Sequence, residues 1–416
     1  MERNLQLLTV GVAIRSVGAA LYNPFLALFL YSVLHVGYLE IGLIFVGVGG
    51  IQIPFGIVGG FWTDRVGRRR LIGLGLATET VLTAALAYAF EVRSLELAVA
   101  AAAVGGALLA ATGSAYSAYA ADWATGPDRT RAFTWYRIGY NAGFSTGVAL
   151  GGVLVASVGF TSAVAIAAVL IAGATVFVFA FIGPSPFDLA LRDRPSIASA
   201  PPAGTDVKPR STLRASFSKL LQDRVALLVA AGFALVYVTS GQWNVTFSLF
   251  VHNKLGISYT LLGIGLALNG LIVVFGQSIT TESVIGRRHT SLAIVGSLLY
   301  AVAFLLLGVS ALWLLLPGAI FLAAVLVLTL GENLLAIPTS TLPSNLAPGG
   351  EIGAYNGAFN ASLSAAALAA TFFGGAVLSA VANPVWEWVL LALPTIPGII
   401  LLRYAAGRIP GRADRA

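Results

Sequence analysis

Four ionisable side chains, Arg15, Glu79, Arg137 and Glu332, fall inside long apolar runs where water should be scarce. A charge at the centre of a spanning helix costs ~2.5–3.5 kcal/mol or more unless it is paired or hydrated, so each needs a reason to be there. A carboxyl group in apolar surroundings tends to keep its proton, and a nearby cation reverses that tendency. Such a group can load and release a proton as its surroundings wet and dry. Glu332, followed by Asn333 and later by Pro338, is the main candidate for a proton or cation site. A permanently paired, structural Glu332 is the competing reading. Glu79 is either a second protonation site or a carboxylate bonded within its own bundle. Arg15 lies ten residues into the first apolar run, roughly 15 Å deep at 1.5 Å per residue. Arg137 and Asn141 are one helical turn apart and share a face. Either arginine could hold a carboxylate or phosphate, although the long stem of Arg137 equally lets it snorkel to the interface.

Polar and aromatic residues supply a second set of contacts. Gln242, Trp243 and Asn244 stand together in one apolar run, and Asn269 and Asn360 lie in others. Trp243 could stack on an aromatic or cationic ligand. The same residue types also serve as glue between helices. The chain has no cysteine, and its three histidines, His35, His252 and His289, show no ligand spacing, so neither a metal nor a cofactor is expected. No glycine loop of the phosphate-binding type is present, which leaves ATP coupling within this chain unsupported. An enzyme would need a nucleophile with a base, or a metal cluster, at one depth, and neither is evident. A non-transporting sensor would call for a signalling domain that this sequence lacks.

The elements that must position these groups are helices. Of 416 residues, 58% are hydrophobic and 10% charged, far below the charge content of a soluble domain. The apolar stretches, such as 163–181, are continuous rather than alternating, which favours spanning helices over a barrel. Spans are expected near 5–30, 38–62, 71–90, 95–120, 136–156 and 160–182, then near 225–251, 258–281, 290–309, 312–337, 354–381 and 385–404. With the N-terminus inside, twenty of the 24 Lys and Arg fall on the cytoplasmic side, and only Arg93 and Lys254 on the other. That bias sets the orientation and places both termini in the cytoplasm of a multi-pass inner-membrane protein. The net charge of +7 therefore follows the membrane rather than a nucleic acid. No cleavable signal peptide is expected, since the first apolar segment is too long and contains Arg15.

The stretch 183–224 is rich in proline and charge and reads as a cytoplasmic linker between an N-terminal bundle, 1–182, and a C-terminal bundle, 225–404, with a tail at 405–416. The two halves echo each other at an offset of 219 residues. Gly67-Arg68-Arg69 maps onto Gly286-Arg287-Arg288, Tyr136 onto Tyr355, Arg137 onto Asn356, and Asn141 onto Asn360. Parallel repeats of this kind are one transporter architecture.

The loop after the second span reads Gly60, three residues, Asp64-Arg65, one residue, Gly67-Arg68-Arg69. It resembles the signature loop of the major facilitator superfamily. The resemblance implies twelve helices in two six-helix bundles working by alternating access, with helices one, four, seven and ten around a central cavity. It also implies that Gly60, Asp64, Arg65, Gly67, Arg68 and Arg69 act in gating, with Asp64 near Gly353. Asp122 either pairs with Arg68 or Arg65 or is an ordinary hydrated acid at a helix end. In the second copy Ser283 stands in place of the aspartate, beside Glu282, so the gating role is expected to be asymmetric.

Arg15 with Tyr22-Asn23-Pro24-Phe25, and Gly331-Glu332 with Tyr355-Asn356-Gly357, resemble the multidrug branch of that family, which adds Asn23 and Asn333 to the substrate contacts. Gly143 to Gly152 in the fifth span resembles the glycine motif of drug–proton antiporters, but Val148 stands where that motif has proline. Glycines four apart also simply let helices approach. The expected protein is a monomeric secondary transporter moving a small molecule, with protons or another ion and membrane lipids as partners. Proton-coupled efflux of amphipathic or cationic compounds is the leading reading. Uptake of a small polar or anionic nutrient is the alternative.

Overall fold

The structure is a computed structural model that describes residues 2–123, 128–192, 222–243, 245–312, 316–348 and 352–415. Among these residues all regular structure is helical, apart from one isolated bridge between Arg288 and Arg415. Eleven helical stretches among the described residues are long and apolar enough to cross a membrane. One of them, 135–181, holds two spans, because helix Asp128–Phe181 breaks at Gly159, whose φ of 81° lies in the left-handed region. The expected twelve spans are thus present.

Several spans are interrupted for identifiable reasons. The first runs as Glu2–Tyr22, a 3-10 turn at Asn23–Phe25, then Leu26–Ser32. Pro24 lacks an N–H and its ring crowds the carbonyl four residues back, which weakens the α-helical ladder where the turn forms. The second span, Tyr38–Val66, ends at Gly67, where φ is 93°. That angle suits glycine alone and lets the third span, Arg68–Glu91, begin at once. The fourth span, Leu95–Asp122, starts at Ser94, whose side chain accepts from the Leu97 amide.

The seventh span combines Arg224–Ser240, a turn at Gly241–Trp243 and Thr246–Asn253. The eighth to eleventh are Tyr259–Ser283, His289–Ser310, Pro317–Leu346 and Ile352–Ala380. The twelfth is Pro384–Ala392 with Thr395–Ala406. Within the expected linker, Pro186–Arg192 forms a short helix, while 193–221 lies outside the described residues.

Two compact units are present, residues 1–194 with 244–274, and residues 195–243 with 275–416. The first is held by small residues where helices meet. Gly139, Gly143, Gly147 and Gly151 recur every fourth position on the fifth span and lie against the backbone of Thr9, Ala13, Val17 and Leu21 on the first. The next glycine, Gly152, instead meets Tyr259 and Gly263 on the eighth span. Without a hydrophobic drive between helices in lipid, such close approach is what makes them adhere.

In the second unit Gly296 faces Gly331, and Gly232 faces Gly398, joining the ninth to the tenth span and the seventh to the twelfth. Fully buried Trp388 packs edge-on against Phe304 at 4.6 Å. Large apolar side chains such as Val81, Val169, Phe275 and Ile279 are well exposed, as lipid-facing positions require.

Candidate functional site: a buried ion pair and a capped basic loop

Arg15 and Glu79 meet inside the first unit. Nε of Arg15 donates to Glu79 Oε2 at 2.7 Å and Nη2 donates to Oε1 at 2.9 Å, a forked, charge-assisted contact between the first and third spans. Their side chains are only 9% and 12% exposed. Tyr116 of the fourth span sits with its ring centre 6.0 Å from the guanidinium. Tyr136 and Tyr140 of the fifth span lie within electrostatic range of Arg15. The result is an ionic pair in a phenol-rich surround. Two side chains named separately from the sequence thus form one group.

Glu332 lies in the second unit, half-buried on the tenth span, with Tyr237 of the seventh and buried Tyr300 of the ninth within electrostatic range. Asn333 beside it is buried. Gln242 is fully buried, and its Nε2 donates at 2.9 Å both to the Val238 carbonyl and to that of Ala370, so it bridges the seventh and eleventh spans. Trp243 is half-buried, Asn269 is buried in the first unit, and Asn23, Arg137 and Asn360 are exposed, with Asn141 intermediate. Asn244 and the surroundings of Gly60 and Gly353 lie outside the described residues.

The basic loop is organised around Arg68, which is 8% exposed although it carries a charge. Its Nη1 donates to Asp64 Oδ1 and to the Thr63 carbonyl, each at 2.7 Å, and its guanidinium lies 3.7 Å from the centre of the Phe187 ring. Asp122 Oδ2 is 3.5 Å from Arg68 Nε, an ion-pair distance too long for a hydrogen bond, and accepts a 2.6 Å bond from Ser185 Oγ. Asp122 therefore pairs with Arg68 rather than Arg65, which is exposed. Arg69 donates through Nη2 to the Phe179 carbonyl at 2.8 Å.

Sequence reasoning missed Asp188. Its carboxylate accepts from the backbone amides of Arg68, at 2.5 Å, and Arg69, at 3.1 Å, which are the first amides of the third span and lack intrahelical partners. The signal was present as Ser185-x-x-Asp188, a capping box in which Ser185 N donates to Asp188 at 2.9 Å and Asp188 N donates to Ser185 Oγ at 3.2 Å. What the spacing could not reveal is that the same carboxylate also caps a helix 119 residues earlier. Asp188→Ala should lower stability by about 1–2 kcal/mol through loss of the cap. A thermal-unfolding series with Asp188→Asn as the milder variant checks this. An unchanged midpoint for the alanine variant would remove the cap from the account.

Residues 8–371 match the family model described as Major Facilitator Superfamily. The chain is 25% identical over 383 residues to YttB of Bacillus subtilis (strain 168), an uncharacterised transporter of the same type, covering 91% of this chain and 89% of that one. Among solved structures it is similar to a mutant of the nucleoside transporter NupG, with a TM-score of 0.75, 12% identity, and coverage of 98% of this chain and 100% of that one. The peptide transporter POT in complex with sulfate gives a TM-score of 0.73 at 16% identity, covering 100% and 96%. At such identities the solved structures speak for the fold, and the family match agrees with the basic-loop motif and the twelve spans. The chain belongs to the major facilitator superfamily and is a multi-pass membrane transporter rather than an enzyme.

Proposed function

We propose that the protein exchanges protons for amphipathic, cationic compounds and so acts in efflux from the cytoplasm. One observation carries the choice between cation and anion: Arg15, the deepest cation expected from the sequence, already has its charge matched by the forked contact with Glu79. A guanidinium so engaged has little to offer a carboxylate or phosphate substrate unless Glu79 is first protonated. In the second unit Glu332 brings a charge into the tenth span, and the phenols of Tyr237 and Tyr300 around it are neutral partners of the kind that receive cations. On this reading Glu332 exchanges its proton for a cationic substrate, and Glu79 is a second proton site gated by Arg15. Asp64, Arg65, Gly67, Arg68, Arg69 and Asp122 then act at the cytoplasmic gate. The uptake alternative draws support from exposed Arg137, which lies one turn from Asn141 on the fifth span.

Purified protein in proteoliposomes carrying an internal pH indicator tests the proposal. Lipophilic cations should drive proton movement, whereas sugars, amino acids and organic anions should not. Glu332→Gln should abolish the coupled flux, a loss of at least tenfold. Proton movement driven by organic anions, and lost in an Arg137 variant, would instead establish uptake. Substrate movement without proton flux in either protein would end the proton reading.

A further inference from the structure

Among the described residues of the second unit, the most deeply buried acid outside the spans is Asp414, at 0% exposure. Its Oδ2 accepts from Arg288 Nε and from Thr290 Oγ1, each at 2.7 Å, and its Oδ1 accepts from the Thr290 amide at 2.8 Å. The Asp414 carbonyl accepts from the His289 amide at 2.9 Å. These are the opening amides of the ninth span, His289–Ser310, so a residue 124 positions away supplies the cap that this helix lacks locally.

Neighbouring bonds extend the contact. Asn345, near the end of the tenth span, donates to the Ala413 carbonyl at 3.1 Å, and Arg288 Nη2 donates to the carbonyl of Ala406, the last residue of the twelfth span. The buried His289 ring lies 3.3 Å from Thr341 Oγ1 and 3.5 Å from Asn345 Nδ2. A helix N-terminus, a guanidinium and a hydroxyl converging on one carboxylate make a complete anion site.

The first unit repeats the arrangement with different chemistry nearby. There the third span also follows a positive-φ glycine, and its first amides are also taken by an aspartate from the segment after that half's sixth helix. Gly67 corresponds to Gly286, at φ 93° and 80°, and Asp188 plays the part of Asp414. Asp188 and Asp414 lie 226 residues apart, not 219, so the correspondence is one of geometry that the repeat offset does not reveal.

We propose that the start of the ninth span is a built anion-binding site, and that the segment following the twelfth span is its tethered occupant. Through Asp414 and its neighbours this segment clamps the start of the ninth span, beside the Gly286 loop, to the ends of the tenth and twelfth spans.

The test uses protein lacking residues 409–416 and a fluorescent peptide with the sequence of residues 407–416. The peptide should bind the shortened protein saturably and at least tenfold more weakly to the full-length protein, whose own segment holds the site. A peptide carrying Asp414→Asn should bind the shortened protein at least tenfold more weakly than the parent. Equal binding of the two peptides, or none by either to a folded shortened protein, overturns the proposal. Should the shortened protein not fold, the absence of native cysteine allows a second measurement on the full chain. Cysteines introduced at Asn345 and Ala413 should be joined by a short thiol crosslinker, and Asp414→Ala should reduce that yield severalfold. A yield indifferent to Asp414→Ala also overturns the proposal.

Discussion

Glu79→Ala is expected to destabilise the protein by about 3–5 kcal/mol, because it leaves the guanidinium of Arg15 buried without its counter-charge. Arg15→Ala should cost a similar amount for the mirror-image reason. The informative variant is the double one. Arg15→Leu with Glu79→Leu removes both charges and fills the space with apolar atoms, so most of the stability should return, since a buried pair replaced by hydrophobic residues is often neutral or better. A denaturant titration of the purified protein, read by tryptophan fluorescence, would show the two single variants far below the double. If all three unfold at the same point as wild type, the 2.7 Å and 2.9 Å contacts carry no net energy. Proton-coupled transport in the same series separates roles. A stable double variant that still couples normally would leave Glu332 as sole carrier, whereas loss of coupling despite full stability would make the pair part of the proton path.

Gly147→Val should be nearly as damaging. A Cβ at Gly147 would overlap the Val17 carbonyl and the Ala20 methyl of the first span, so the two backbones would have to part. Overpacking costs typically about 1–3 kcal/mol, and a forced separation also weakens the neighbouring contacts at Gly143 and Gly151. Gly113 on the fourth span has nothing within 4 Å of its would-be Cβ, so it serves as the control. Gly113→Ala should be neutral or stabilising by up to about 1 kcal/mol, the ordinary helix advantage of alanine over glycine. The melting curve of Gly147→Val should therefore fall while that of Gly113→Ala holds or rises. If Gly147→Val melts like wild type, the fifth span does not lie on the first as described.

The twelve spans were legible because length and apolarity suffice to define them, and lipid leaves the backbone no other open choice. Even the single-residue join between the fifth and sixth spans was readable, the break at Gly159 falling in the gap between expected segments 136–156 and 160–182. Breaks inside spans were less visible. Pro24 explains the turn in the first, but nothing local marked the seventh as changing course at Gly241–Trp243, where Gln242 is held by carbonyls from two helices.

Partnerships were the least legible. Arg15 and Glu79 are 64 residues apart, and whether they face each other depends on how two helices are rotated about their axes. Periodicity gives a face to an amphipathic helix, but a helix apolar all round shows no face to read. Asp188 and Asp414 were obscure for another reason: each lies beyond the last span of its half, and each works on a helix distant in sequence.

The separation of Arg15 from Glu79 also has a consequence in time. The first span leaves the ribosome with its arginine at depth and the carboxylate that will neutralise it still 64 residues from synthesis. At roughly 5–20 residues per second that interval is on the order of several seconds. Throughout it, the apolar remainder of the first span must cover an insertion cost of ~2.5–3.5 kcal/mol without that carboxylate. The newborn chain is thus most exposed to misinsertion and degradation before its third helix arrives, and substitutions that thin the apolar face of the first span would act at that stage, on how much protein is made rather than on how well it transports.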